Sequence, residues 1–314
     1  VAAIVLTYFC SIAVITVFFS IVAPQVASSV SGIVSNISSY IPVATQWLEG
    51  VLDKLPSDPY IQELLGKVMQ SAEKILEAFY AWLASSLPLA LSFTRSLTVG
   101  VTNSILGIII SIYLLMGKER FFAQTKKTLY AFFPTRAVDR MVDITHTSNQ
   151  VFSGFITGKL LDSLIIGILC FICMSLFKMP MAMLVSVIVG VTNVIPYFGP
   201  FIGAIPSALI IFIIDPVKAF WFLVMILVLQ QFDGNILGPK ILGSSIGISA
   251  FWVIFSILLF GGYFGVLGMF VGVPTFAVIY SLLRTVVELR LEKRGLPSAT
   301  SEYASRRHPL LKKK

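Results

Sequence analysis

Three short polar clusters stand out against an apolar background. The first is Gly158-Lys159-Leu160-Leu161-Asp162-Ser163. Lys159 and Asp162 are three residues apart, so on a helix they share a face. Charges at membrane depth are costly, and they pair or mark a pathway. A structural ion pair and a place on a transport pathway both fit that spacing. The second cluster is Asn193-Val194-Ile195-Pro196-Tyr197-Phe198-Gly199-Pro200. Two prolines four residues apart, with Gly199 between them, cannot continue a regular helix. The carbonyls they free, and the Tyr197 hydroxyl, would line a cavity or close a tight interfacial loop. The third runs Gln230-Gln231-Phe232-Asp233-Gly234-Asn235-Ile236-Leu237-Gly238-Pro239-Lys240-Ile241-Leu242-Gly243. It gathers amides, an acid and a lysine between apolar segments, as a gate or a connecting loop would. The pathway candidates are therefore Lys159, Asp162, Asn193, Pro196, Tyr197, Gly199, Pro200, Gln230, Gln231, Asp233, Asn235, Pro239, Lys240 and Gly243.

Other chemistries lack their residues. No zinc-protease, nucleophile-elbow or phosphate-loop pattern occurs. The two histidines, His146 and His308, lie in basic stretches away from any metal-like cluster. Cys170 and Cys173 have redox spacing but sit in an apolar run, where small core residues are expected. An ATP-driven pump would need a nucleotide-binding domain, for which the chain has no room. The expectation is a protein that is not an enzyme, with no cofactor, no metal and no nucleic-acid partner.

The elements that must position these clusters are membrane helices. Hydrophobic residues make up 57% of the 314 and charged residues 12%, about half the roughly 25% of a soluble domain. Mean hydropathy is +0.91. Disorder is excluded by 25 Phe and long aliphatic runs, and a disulfide scaffold by only 3 Cys. Residues 1–48, 96–117, 179–214 and 241–283 contain no Asp, Glu, Lys or Arg. A helix of about 20 apolar residues crosses a hydrocarbon core of about 30 Å. Backbone amides in lipid must be paired within the protein, and the short alternating segments of a β-barrel are missing. The expected fold class is all-α: a polytopic α-helical membrane protein with broken or re-entrant helices and a small extracytoplasmic helical domain.

A first transmembrane helix is expected at 1–22, ended by Pro24. It has no basic flank, so it reads as a span rather than a signal peptide. The start at Val1, inside an apolar run, reads as a chain missing its natural beginning. Residues 23–90 carry Glu49, Asp53, Asp58, Glu63, Glu73 and Glu77 against Lys54, Lys67 and Lys74. Within them Ile61, Leu64, Leu65, Val68, Met69, Ala72, Ile75, Leu76, Phe79 and Leu83 recur at helical steps, after Asp58 as N-cap and Pro59. This predicts an amphipathic domain outside the bilayer, packed on itself or on neighbouring subunits. A second span follows at 91–117. Residues 118–150 form a basic, aromatic stretch suited to the headgroup level. Residues 151–284 are the transmembrane core, its apolar pieces interrupted at Pro196, Pro200, Pro206, Gly234, Pro239 and Gly261-Gly262. Residues 285–314 are a basic tail. The positive-inside rule puts 118–150 and the tail in the cytoplasm and the net-negative 23–90 outside. A faint repeat links Gly203-Ala204-Ile205-Pro206 with Gly272-Val273-Pro274.

With Gly158-Lys159-Leu160-Leu161-Asp162-Ser163, then Ile195-Pro196-Tyr197-Phe198-Gly199-Pro200, then Gly238-Pro239-Lys240-Ile241-Leu242-Gly243, the chain resembles the autoinducer-2 exporter family of bacterial permeases. The resemblance covers essentially the whole chain. It implies a bacterial cytoplasmic membrane, export of a small polar signalling molecule, and in some members sodium/proton exchange. It also implies a homo-oligomer, a pentamer. Members often carry a His-Pro pair after the proline-lysine element, where this chain reads Ile248-Ser249-Ala250. Three functions remain open from the residues: a solute permease, a sodium/proton antiporter using Asp162 or Asp233, and a non-transporting membrane scaffold.

Overall fold

The computed structural model describes residues 2–52, 107–241 and 247–303, with isolated positions between Gly66 and Ser85. Every regular element among the described residues is a helix. The helices are α1 (Ala2–Leu52), α2 (Gly107–Met116), α3 (Lys118–Phe132), α4 (Thr135–Leu176), α5 (Ala182–Thr192), α6 (Gly199–Ile214) and α7 (Pro216–Phe232). A π-helical turn (Asp233–Leu237) carries α7 into α8 (Gly238–Ile241), and α9 (Ala250–Lys293) and the short α10 (Thr300–Tyr303) follow. Four stretches are long and apolar enough to cross a bilayer: Leu6–Ile33, Thr135–Leu176, Pro216–Ile241 and Ala250–Lys293. The chain is a multi-pass α-helical membrane protein.

The first helix does not stop at Pro24. It runs 51 residues, with Pro24 and Pro42 both inside it. A proline removes one backbone hydrogen bond, which a long helix absorbs where its flanking turns stay paired. Most of the amphipathic face predicted at 61–83, with Asp58 and Pro59, lies outside the described residues. Of that face, Ile75 is exposed and Phe79 buried. Phe79 joins Val30 and Ile33 of α1 against Leu184 of α5 and Ile210 and Ile213 of α6, in one apolar cluster. Beyond it, the Trp47 ring meets Phe212 edge-on at 5.8 Å.

Two compact units divide the chain. One comprises Val1–Phe132, Ser163–Asn193 and Phe198–Asp233; the other comprises Phe133–Asp162, Val194–Tyr197 and Gly234–Lys314. In the first, α4 and α5 touch backbone to backbone: a Cβ on Gly190 would lie 3.0 Å from the Gly167 Cα. Small residues permit such approaches where lipid supplies no hydrophobic drive between helices. Helices α5 and α6 form an antiparallel hairpin, with Gly203 against Val189 and Thr192. Their 11 and 16 residues reach about 16 and 24 Å, short of a full crossing. Pro206 lies inside α6 and does not interrupt it.

In the second unit α9 folds back on itself. The Trp252 and Phe276 rings stack with centroids 5.3 Å apart, although 24 residues of straight helix would separate them by about 36 Å. The reversal occurs at Gly265, with φ 61 and ψ −145, a backbone conformation that glycine alone adopts readily. Gly261 and Gly262, where the sequence predicted the interruption, remain helical. Gly272 in the second arm gives way to the Phe260 side chain of the first.

Candidate functional site

The Lys159–Asp162 pair forms as the spacing predicted. Lys159 Nζ donates to Asp162 Oδ2 at 2.6 Å. The two residues are 5% and 0% exposed, midway along α4. An ion pair withdrawn from water holds only with close geometry, since desolvating each ion costs several kcal/mol. Both belong to the second unit. Next along the helix, in the first unit, Ser163 is buried.

The proline element is the tip of the α5–α6 hairpin. Helix α5 ends at Asn193, which is 1% exposed and whose N–H reaches the Val189 carbonyl at 3.0 Å. Pro196 lies in the turn, half-buried. Tyr197 has φ 63 and is 51% exposed. A non-glycine residue in the left-handed region costs of order 1 kcal/mol and persists where surroundings enforce it. Gly199 then opens α6 so close to the Thr192 carbonyl that a Cβ there would overlap it. Pro200 belongs to the first turn of α6, where its missing N–H is no loss. The chain reversal therefore rests on Tyr197 and Gly199 more than on the two prolines to which the sequence pointed.

The third cluster is not a loop. It continues α7 as helix, with the π turn at Asp233–Leu237. Pro239 supplies the reason: its ring would clash with the carbonyl four residues back, and a widened turn relieves that. Such turns are frequent at functional sites. Asp233 is buried and Gln230 half-buried, whereas Gln231, Asn235, Pro239 and Lys240 are exposed. Gly243 lies outside the described residues. The cluster thus sends two polar side chains, Gln230 and Asp233, inward and three, Gln231, Asn235 and Lys240, outward.

Two buried hydroxyls escaped the sequence reading. Ser163 and Ser207 are 4% and 0% exposed. Neither hydroxyl, nor the Gln230 Nε2, has a hydrogen-bond partner among the described residues. A serine in a membrane helix usually bonds back to a preceding carbonyl, as Ser186 does to Ala182 at 2.6 Å and Ser256 to Val253 at 2.7 Å. Unspent buried donors need an explanation, of which a passing polar molecule is one. The Ser163 backbone carbonyl lies 3.4 Å from where a Gly190 Cβ would sit, which puts Ser163 one turn from Asn193. Ser163 stood in the first cluster, and Ser207 followed the Gly-Ala-Ile-Pro repeat, so proximity to those motifs was the available signal.

The two ends of the faint repeat correspond structurally. Gly203 and Gly272 each lie in the returning arm of a hairpin, and each approaches the opposite arm closely. The hairpin turns share Tyr-Phe-Gly, at Tyr197-Phe198-Gly199 and Tyr263-Phe264-Gly265. Among the described residues no group of three His, Cys, Asp or Glu side chains could hold a metal.

The chain is similar in sequence to known proteins. A family model described as AI-2E family transporter matches residues 1–288. YueF of Bacillus subtilis (strain 168), designated a transport protein, is 27% identical over 94% of this chain and 81% of its own length. YrrI of the same organism, likewise designated, is 34% identical over 53% of this chain and 47% of its own. A Synechocystis protein, sll0063, also designated for transport, is 29% identical over 66% of this chain and 50% of its own. These designations assign transport and name no substrate. With the model spanning nearly all of its apolar helices, the chain belongs to the AI-2E transporter family.

Proposed function

We propose that this chain is a non-enzymatic permease of the bacterial cytoplasmic membrane. It exports a small polar solute, a signalling molecule of the autoinducer-2 kind, and works as a homo-oligomer, a pentamer. The carrying observation is the Lys159–Asp162 pair, fully buried halfway along an apolar helix. Ionisable groups held inside a membrane mark substrate or ion pathways. The first unit has buried polar groups of its own, the hydroxyls of Ser163 and Ser207 and the inward Gln230 and Asp233. Asn193, Pro196, Tyr197, Gly199 and Pro200 form a broken backbone of the kind that at membrane depth lines a cavity. In this reading the basic stretches face the cytoplasm and 23–90 the outside, so cysteines at Asp58 and Lys127 label from opposite sides of intact cells.

A second reading, monovalent cation/proton exchange, draws on the two buried carboxylates, Asp162 and Asp233. An antiporter needs a carboxylate that exchanges a proton for a cation. Purified protein in liposomes separates the readings. Autoinducer-2 flux with no proton movement supports the permease, and proton movement driven by a sodium gradient replaces it with the antiporter. Neither flux leaves a membrane scaffold.

A further inference from the structure

Helix α3 is two-faced and exposed along its length. Its 15 residues include none that is buried. Phe121, Phe122, Leu129 and Phe132 fall on one side of a helical wheel and Arg120, Gln124 and Lys127 on the opposite side, while Lys118 lies among the phenyl groups and Lys126 at their edge. Phe121, Phe122 and Phe132 are 52%, 61% and 79% exposed. Lys118, Arg120, Lys126 and Lys127 against Glu119 leave the helix with an excess of positive charge.

The helix begins where an apolar segment ends. Gly117 alone separates it from α2, and the backbone ladder runs through that residue: Gly117 N–H to Tyr113 at 3.0 Å, Phe121 N–H to Gly117 at 2.9 Å. An isolated helix of this length is marginal in water. It needs an apolar surface for its phenyl groups and an anionic one for its lysines and arginines. The headgroup layer that α2 leaves offers both at once.

We propose that α3 is an anionic-lipid-binding helix. It lies in the headgroup layer with Phe121, Phe122, Leu129 and Phe132 among the acyl chains, Arg120 and Lys127 against lipid phosphate, and Lys118 and Lys126 snorkelling up to it. This is independent of what the protein transports.

The test uses the full chain with Cys10, Cys170 and Cys173 replaced by Ser and a fluorophore on one introduced cysteine, at Phe122 or Lys127. The labelled protein is reconstituted in phosphatidylcholine, with or without phosphatidylglycerol. The label at 122 should be quenched by nitroxide lipid and spared by aqueous iodide, and the label at 127 the reverse. Phosphatidylglycerol should strengthen lipid quenching at 122, and salt should reverse that gain. Changing Lys118, Arg120, Lys126 and Lys127 together to Gln should abolish the phosphatidylglycerol effect, since each basic residue near an anionic surface is worth about fivefold in partition. Iodide quenching at 122 overturns the proposal. So does a label at 122 shielded from both quenchers, which would mean that a second copy covers the face. Equal lipid quenching with and without phosphatidylglycerol overturns its anionic part.

Discussion

Two lysine–aspartate pairs in this chain have the same residue types and the same three-residue separation, in opposite order. Lys159 and Asp162 meet at 2.6 Å with side chains 7% and 1% exposed. Lys218 and Asp215 meet at 3.7 Å with side chains 44% and 36% exposed. Asp215 also caps a helix, since its carboxylate accepts the Lys218 backbone N–H at 3.1 Å at the start of α7. Asp162 lies mid-helix, where no N–H is left to cap. A half-exposed pair at a helix start is accounted for by capping. A pair sunk in the middle of an apolar helix is not accounted for by local structure, and that asymmetry makes Lys159–Asp162 the stronger functional candidate.

Breaking the buried pair should have the largest effect. Asp162→Ala leaves the Lys159 ammonium buried and uncompensated, a loss of about 3–5 kcal/mol. It should show as lower yield and earlier unfolding in detergent. Changing both members to apolar residues, Lys159→Met with Asp162→Leu, should restore folding, because apolar replacements of buried pairs are tolerated. Flux in proteoliposomes should stay absent in the double variant. Wild-type flux there would reduce the pair to a structural tie and remove the contrast with Lys218–Asp215.

Next comes the Gly167–Gly190 contact. Gly190→Ala would place a methyl 3.0 Å from the Gly167 Cα, and overpacking of this kind costs about 1–3 kcal/mol. Gly234→Ala, where a Cβ meets nothing within 4 Å, is the matched control. Equal melting temperatures for the two variants would show that α4 and α5 do not pack this way.

The exposed pair should yield less. Asp215→Ala removes the cap of α7, a loss of about 1 kcal/mol. Lys218→Ala should be close to neutral, as half-exposed ion pairs contribute about 0–1 kcal/mol. Neither should change flux per folded protein. A fall in flux after Lys218→Ala would put this pair on the pathway as well.

Much of this was legible in the sequence, for reasons of scale. Charge-free runs of 20 residues or more admit few alternatives, so the helical, multi-pass class followed from composition. The Lys159–Asp162 pair followed from helical spacing alone. Local breakers were less informative. Pro24, Pro42 and Pro206 sit inside helices, because a helix loses only one hydrogen bond to each. The reversal of α9 occurs at Gly265, while the adjacent Gly261-Gly262 pair stays helical. The two arms that Gly265 joins pack closely, Gly268 and Gly272 against Phe260, a tertiary contact that spacing does not encode. Ser163 and Ser207 were missed for a similar reason: their residue type is common in membrane helices, and only burial without a partner distinguishes them.

Tyr197 gives the smallest expected change in stability and the sharpest test of the hairpin tip. Its hydroxyl is the one group there that a substitution can remove without touching the backbone. The side chain is half in the open, at 51% exposure, so Tyr197→Phe leaves φ, ring packing and the Gly199 contact as they are. Unfolding in detergent should shift by no more than about 0.5 kcal/mol, the usual range for a surface change. Tyr197→Gly relieves the left-handed backbone at φ 63 and should be neutral or slightly stabilising. If the tip meets solute, flux should fall in both variants although neither is destabilised, and the phenylalanine variant should retain more, since it keeps the ring. Full flux in Tyr197→Phe with reduced flux in Tyr197→Gly would assign the role to the ring's position and leave the hydroxyl without one. Full flux in both would make the tip a connector, and the pathway would then have to be sought along α4, where Lys159 and Asp162 are buried.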